Sequence, residues 1–383
     1  MNESSDGPLI GLIVNPIAGL GGKVGLKGSD GEHTQQRALA LGGKGCGVER
    51  ATLTLRQFSR HSRAFSIVTC QGDMGEHAVA KAGLVAQAVL PIGAAEGFSA
   101  SDTVAAARWM FAMGVKLILF AGGDGTARNI MDAVGSDVLV LGIPAGVKVQ
   151  SAVFAINPVS AAEIVRRFVS NDITGCTAAE VMDLDEEELR QQRVSARLYG
   201  YLNIPDDRSL TQSAKSRSKQ SDRGAVCAIA DEVKRTMNDE TLYIIGPGMT
   251  TSALKERLEI SGSLIGVDIV KGGKLICRDA SEQDILATMD KYPGPSQLMV
   301  TCIGGQGFLL GRGNPQISSE VLTRIGCGRI TVLATTNKLT SLRGRPLLVD
   351  TGSPWLDKLF NGYIPVITGF RERLVYRVAS SLA

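Results

Sequence analysis

The stretch FAGGDGTARNI, residues 120–130, sets three glycines, an aspartate and a threonine directly behind the apolar run VKLILF. Each glycine gives up backbone entropy and packs nothing, so the cluster implies a backbone that must come very close to something. A turn between a buried strand and a helix exposes N–H groups. Together with the positive end of the helix, these hold phosphate oxygens. With the helix expected to start near Thr126, Gly122, Gly123 and Gly125 form the cradle, and Thr126 caps the helix or bonds a ligand oxygen. Asp124 beside a phosphate raises the electrostatic cost unless it works there. It can take a proton from an attacking hydroxyl, or hold Mg²⁺ directly or through water. The plainer reading, a turn residue bonding its own backbone, stays open. No GxxxxGK[ST] loop is present, since GLGGKVG lacks both the Ser/Thr and the spacing, and no GxGxxG follows a first strand.

Other residues carry weaker chemical signals. Lys148 and Ser151 follow the strand-like DVLVLGIP, and a lysine there can neutralise a phosphate as a mobile point charge. Gly248, Thr250, Thr251 and Ser252 in PGMTTS form either a second oxyanion-binding turn or an ordinary helix start. Asp268 lies within the apolar run IGVDIV, where a carboxylate must be paired, hydrogen-bonded or protonated. It either touches a ligand or metal, or pins a turn. Gly304, Gly305, Gln306 and Gly307 repeat the device of glycines after a strand, with Arg312 and Asn314 close behind. Asn337 and Lys338 are weaker candidates, and turn chemistry alone explains Asp350, Thr351 and Gly352.

The elements that must position these residues alternate. PLIGLIVNP, RAFSIVTC, VKLILF and DVLVLGIP read as strands. EHAVAKAGL, SASDTVAAARWMFAMG and GTARNIMDAV read as helices, the second with Asp102 in its first turn and Gly114 at its end. Such alternation indicates an α/β domain with a parallel sheet covered on both faces. Ligands of such sheets sit outside the carboxyl ends of the strands. NPIAG, QGDMG, GGDGT and IPAG all follow strands, so four glycine-bearing ends gather on one rim. The second half is a mixed α/β or β-rich domain. TLYIIGPG, SLIGVDIVKGGKLICRD, QLMVTCIGG, GRITVLAT, RPLLVDT and IPVITG supply its strands, and SEQDILATM is a helix capped by Ser281 and Asp284. The expected domains are 1–160 and 161–383, with the closing segment staying in the second or returning to the first. The polar stretch 206–223 is expected to be a linker or loop.

Composition bounds the function. The chain has 383 residues, enough for two domains, and 44% apolar residues can fill both cores. A net charge of +3 does not favour nucleic acid and does not oppose an anionic small molecule. Seven scattered cysteines and three histidines give no metal-ligand spacing, and the odd cysteine count fits a reducing compartment. The polar first residues are not expected to act as a signal peptide, and no apolar run reaches membrane-spanning length. A cytoplasmic protein with no membrane partner is expected.

GGDGT resembles the signature of the NAD kinase and diacylglycerol/sphingosine lipid kinase superfamily, and NPIAGLGG resembles its amino-terminal glycine element. GGDGTARNI, GIPAGVKVQSAVFAINP, GPGMTTS, IGVDIV, IGGQGFLLGRGNPQIS and VLATTNKLTSLRGRPLLVDTG are similar to the bacterial ATP-NAD kinase-like branch that includes the acetoin-catabolism protein AcoX. The resemblance covers residues 8–380. It implies an NAD kinase-like fold and phosphoryl transfer from ATP, with Mg²⁺, to a hydroxyl of NAD or a related nucleotide. Asp124 is then the base or orienting group, and Gly122, Gly123, Gly125 and Thr126 line the phosphate site. Asn15 and Gly19 fall near the nucleotide. No NE pair follows the loop to grip the NAD ribose; Asn129 is the asparagine close to that place. PGMTTS loosely echoes the family's TGST motif. Relatives are commonly oligomers, which implies a homo-oligomer. A lipid or small-alcohol kinase and a non-catalytic nucleotide-binding regulator linked to acetoin catabolism are the alternatives.

Overall fold

The computed structural model describes residues 7–26, 32–59, 65–92, 98–146, 149–184, 196–207, 210–212 and 223–380. Two compact units divide the chain, Met1–Gly21 with Gly28–Ala214 and Gly22–Lys27 with Lys215–Ala383. The division falls later than the 160/161 boundary expected from sequence, for reasons visible in the packing below.

The first unit runs β1 (Leu9–Val14), α1 (Glu32–Ala40), α2 (Gly47–Ser59), β2 (Ser66–Cys70), α3 (Glu76–Lys81), β3 (Ala88–Leu90), α4 (Ala100–Ala112), β4 (Leu117–Gly122), α5 (Asp124–Val134), β5 (Leu139–Pro144), α6 (Pro158–Val169), β6 (Cys176–Leu184) and β7 (Ala196–Pro205). Its five-stranded sheet has the order β3-β2-β1-β4-β5, every pair parallel. Burial on both faces follows from strand alternation. Leu117, Leu119 and Ala121 of β4 face α2, α3 and α6, while Ile118 and Phe120 face α4 and α5. α4 starts where expected, Asp102 accepting hydrogen bonds from the Ser99 N–H at 2.8 Å and the Ser99 hydroxyl at 2.9 Å. α6 is capped by Asn157, whose side chain accepts from the Ser160 N–H at 2.7 Å.

Two features carry this unit past residue 160. Ala161, Ala162, Ile164 and Val165 of α6 pack under the sheet, and the antiparallel β6–β7 ribbon packs Ala179, Val181, Leu202 and Ile204 beside α5. The start of the expected linker is also held. Asp207 pairs with Arg167 at 2.8 Å, and Gln212 Nε2 donates to the Ala155 carbonyl at 3.0 Å. Residues 208–209 and 213–222 of that stretch lie outside the described residues.

On α6, Glu163 accepts from Arg166 at 2.8 Å and Arg167 at 2.7 Å, and these bonds, Arg166's first, hold its carboxyl at about 2. A depressed carboxylate stabilises the fold fully above its unfolded value of 4.5, and the benefit is lost as pH falls toward 2. The side chain is 34% exposed, so solvent screening limits the pair to about 1 kcal/mol or less. Glu163→Gln is expected to lower the urea midpoint slightly at pH 6, with the gap to the native protein narrowing by pH 3.

The second unit runs α7 (Arg223–Thr236), β8 (Leu242–Ile245), α8 (Met249–Arg257), β9 (Asp268–Lys271), β10 (Lys274–Cys277), α9 (Glu282–Lys291), β11 (Ser296–Val300), β12 (Phe308–Leu310), α10 (Ser319–Ile325), β13 (Ile330–Leu333), α11 (Thr336–Thr340), β14 (Leu347–Val349), α12 (Pro354–Leu359), β15 (Gly362–Gly369) and β16 (Glu372–Ser380). They form one mixed nine-stranded sheet, β10-β9-β8-β11-β13-β15-β16-β14-β12. Strands β8, β11, β13 and β15 are parallel neighbours. One face packs Leu298, Val300, Val332 and Val366 with residues of α9, α10, α11 and α12; the other packs Tyr243, Met299 and Leu333 with residues of α7 and α8. The closing strands β15 and β16 belong to this sheet. Among the described residues no helix is long and apolar enough to cross a membrane.

Candidate active site

In the first unit the chain moves from β1 outward to β2 and β3, then resumes on the other side of β1 with β4 and β5. The direction switches between β1 and β4, which is where a crevice opens outside the carboxyl ends of such a sheet. Asn15 follows β1 and Gly122 ends β4, and the two loops interlock. The Asn15 N–H donates to the Ala121 carbonyl at 2.9 Å. Asn15 Nδ2 donates to Thr126 Oγ1 at 3.0 Å, and its Oδ1 accepts from the Ile17 N–H at 3.1 Å.

α5 begins at Asp124, two residues before the expected start, with Gly123 as an N-cap that offers no side-chain bond. The first helical bond is Ala127 N–H to Gly123 O at 3.1 Å. The N–H groups of Gly125 and Thr126 therefore lie in the first turn, before the helical ladder supplies acceptors, at the positive end of the helix dipole. Thr126 is not the cap. It stands inside the first turn as the partner of Asn15.

The glycines have a second reason to be there. A Cβ on Gly122 would lie 2.4 Å from Thr126 Oγ1, and one on Gly146 would lie 2.9 Å from Gly123 Cα. The Ala145 and Gly146 N–H groups both donate to Gly122 O, at 2.9 and 3.0 Å. What the backbone of GGDGT approaches is thus, in part, the loop after β5.

Asp124 is 8% exposed and is held from that same side. Its Oδ1 accepts from the Ser151 hydroxyl at 2.6 Å and the Ser151 N–H at 2.9 Å; its Oδ2 accepts from the Gln150 N–H at 2.9 Å. Ser151 Oγ in turn accepts from the Met182 N–H of β6 at 2.9 Å. The carboxylate ties the start of α5 to the segment behind β5 and to the ribbon. Ser151 is a site residue that sequence flagged only by its closeness to a strand end. Lys148 lies outside the described residues. Asn129 is half-buried one turn further along α5.

The glycine-rich stretch 41–47, LGGKGCG in the sequence, backs the loop after β1. A Cβ on Gly45 would lie 1.9 Å from Pro16 O, and one on Gly47 would lie 2.4 Å from Asn15 O. Gly19, at φ +81, has Cys46 Sγ and Ala145 O within 2.7 Å of its own Cβ position. Cys46 Sγ donates to Ala145 O at 3.2 Å. Gly45→Ala is expected to push Pro16 and displace Asn15, costing about 1–3 kcal/mol in thermal denaturation. Gly42→Val is no control because Gly42 has φ +78; Gly224→Ala, open on all sides, is.

The rim holds no thiol nucleophile at the end of β2. Burial first, and the Asp102 charge second, push Cys70 up to about 12, so it stays protonated near neutrality. Among the described residues no three His, Cys, Asp or Glu side chains gather as a metal cage. A hollow of about 460 Å³ lined by Gln57, Val159, Ala162, Glu163 and Arg166 lies on α2 and α6 and includes none of the candidate residues.

The second unit has its own row of strand ends. Gly248, at φ +128, caps α8 without a side-chain bond, and a Cβ there would lie 2.5 Å from Thr301 Cγ2. Thr250 and Thr251 are buried, and the Thr251 hydroxyl donates to Gly248 O at 2.9 Å. The Ser252 N–H makes the first helical bond, to Gly248 O at 2.8 Å. Gly305, at φ +76, gives its carbonyl to Arg345 at 2.8 Å, and Gln306 is buried beside it.

Asp268 does not join that row. It is fully buried, paired with Lys255 at 2.7 Å, and accepts from the Ser263 N–H at 2.6 Å and the Asp279 N–H at 2.8 Å. Lys255 Nζ also donates to Ser263 O at 2.7 Å. Burial lowers the Lys255 ammonium below the ordinary lysine range, while the Asp268 charge pulls it back up. The geometry is that of the pinned turn, the other reading of this carboxylate. Asn314 is likewise turned to structure, bonding Leu309 O at 3.0 Å and the Gly311 N–H at 2.9 Å.

Comparison with known proteins adds two findings. The model of the ATP-NAD kinase N-terminal domain matches residues 10–173, and that of the ATP-NAD kinase C-terminal domain matches residues 238–378. No curated protein matches the chain. The first match takes in the β1–β4 switch point with Asn15 and the GGDGT loop, the second the nine-stranded sheet. With both domains present in order, the chain belongs to the ATP-NAD kinase family.

Proposed function

We propose that the protein transfers a phosphoryl group from ATP to a hydroxyl of NAD or a related nucleotide. The observation that carries this reading is the β4–α5 junction, where a helix start without a side-chain cap, glycines on both adjoining loops and a first-turn carboxylate meet at the switch point of a parallel sheet. In this reading the N–H groups of Gly125 and Thr126, with the helix dipole, bind phosphate oxygens. Asn15 fixes the Thr126 hydroxyl, and Gly19 lets the first loop close behind it. Asp124 accepts the proton of the attacking hydroxyl. Asn129 is assigned to the nucleotide side, and Lys148, which lies outside the described residues, is proposed there on sequence alone. Within the second unit, Gly248, Thr250, Thr251, Ser252, Gly305 and Gln306 are proposed as nucleotide-binding residues in their own right.

Mg²⁺ fits such a site because it keeps most of its water and rides on the phosphates, needing few protein ligands. Were Asp124 to hold the ion, directly or through water, it would do so instead of taking the proton, and the ion would offset charge on the transferred group.

A second reading is a nucleotide-binding protein without turnover. The engagement of Asp124 by Gln150 and Ser151 favours it. Purified protein incubated with ATP, Mg²⁺ and NAD decides between them, with diacylglycerol and small alcohols as parallel acceptors. NADP formation is expected. Tight ATP binding with no product from any acceptor would leave the second reading standing.

A further inference from the structure

We propose that Lys338, Thr250 and Thr301 form a binding site for a phosphate-class oxyanion within the second unit. The second sheet has its own reversal of direction. From β8 the chain goes to β9 on one side, then returns to β11 on the other. β8 and β11 are parallel, so their carboxyl ends flank a crevice of the same kind as in the first unit. Thr250 follows β8, Thr301 directly follows β11, and Lys338 lies in α11 after β13.

The three side chains converge there. Lys338 Nζ is 2.9 Å from Thr301 Oγ1 and 3.4 Å from Thr250 Oγ1. Thr250 is 2% exposed and Thr301 8%. A threonine hydroxyl carries one proton besides its lone pairs. Each of these oxygens accepts from the ammonium, and among the described residues neither hydroxyl proton has an acceptor. Two buried O–H donors therefore stand beside one cation, a donor set that suits an oxyanion. Room exists next to it. A Cβ on Gly304 would find Lys338 Cε at 3.9 Å and nothing else within 4 Å. The start of α8 at Gly248, without a side-chain cap, adds its dipole.

The inference deepens the second unit's part in nucleotide binding but does not need phosphoryl transfer. The bland competitor is a lysine that only staples two loops. The test uses the full chain with threonine methyls labelled for NMR, Thr250 and Thr301 being assigned from Thr250→Val and Thr301→Val. Inorganic phosphate is titrated against chloride at matched ionic strength. Saturable movement of both methyls is expected in the native protein and in Lys338→Arg. In Lys338→Met, with the fold checked by circular dichroism, the midpoint should rise at least tenfold. Static methyls in the native protein, equal movement with chloride, or native-like titration by Lys338→Met would each overturn the proposal. If Lys338→Met does not fold, the native and Lys338→Arg titrations decide alone. An absence of NADP formation leaves this result untouched, so the two readings fail separately.

Discussion

Asp124→Asn is expected to cut the turnover of NAD by about 10²–10⁴-fold, the range lost with a general base, while the protein remains folded. Asparagine keeps the shape but not the proton affinity. The stability cost arises because the Gln150 N–H donates to both oxygens, at 3.2 and 2.9 Å, so either amide orientation sets an N–H₂ against a donor. One unsatisfied buried donor costs about 1–3 kcal/mol. Ser151→Ala is the comparator. It removes the 2.6 Å bond to Oδ1 yet leaves the carboxylate in place. Steady-state kinetics and thermal denaturation of both variants separate the roles. A catalytic Asp124 gives a large kcat loss in Asp124→Asn and a small one in Ser151→Ala. Equal losses in the two, or full activity in Asp124→Asn, would make the residue a structural pin.

The second large effect is on stability. Asp268→Ala should cost about 3–5 kcal/mol, because removing one member of a buried pair leaves the other charge uncompensated. Lys255 is only 3% exposed at its side chain, and the Ser263 carbonyl at 2.7 Å is a neutral acceptor. The pH dependence carries a sign. With Asp268 gone, burial acts on Lys255 with less opposition, and its folded pKa drops further below 10.5. The unfolded chain then binds more protons than the folded one between those two values, so the variant gains stability as pH rises through that window. Urea denaturation at pH 7 and pH 9.5 should show a deficit that shrinks. The double variant Lys255→Met with Asp268→Leu should recover only part of the loss, since it removes the stranded charge but leaves the Ser263 and Asp279 N–H groups and the Ser263 carbonyl without these partners. A deficit under 1 kcal/mol at pH 7 would show that water reaches the pair.

Features written in local sequence were legible. The Ser99–Asp102 and Ser281–Asp284 caps, the apolar runs of β1 and β4 and the glycine loop between β4 and α5 all depend on neighbours within a few positions. The rim of four glycine-bearing strand ends followed from them. α2 was hidden because the glycines of 42–47 suggest a break, although Ala51, Leu55 and Phe58 keep helical spacing just beyond. β6 and β16 carry mixed polar and apolar residues that match neither period strongly. The partners of the two aspartates were not legible at all. Asp124 meets Ser151, and Asp268 meets Lys255, across folds of the chain that no local rule specifies. An acidic residue in an apolar run announces that it needs a partner without saying whether the partner is a ligand or a lysine.

β12 and β14 pair with each other, yet only β16 joins them to the rest of the second sheet. β16 is itself fastened to β15 by an antiparallel hairpin. Amide exchange in β12 and β14 is therefore governed by the opening of a hairpin distant in sequence. Loosening β16 would release both strands together, as one cooperative unit, while β8 and β11 stay protected.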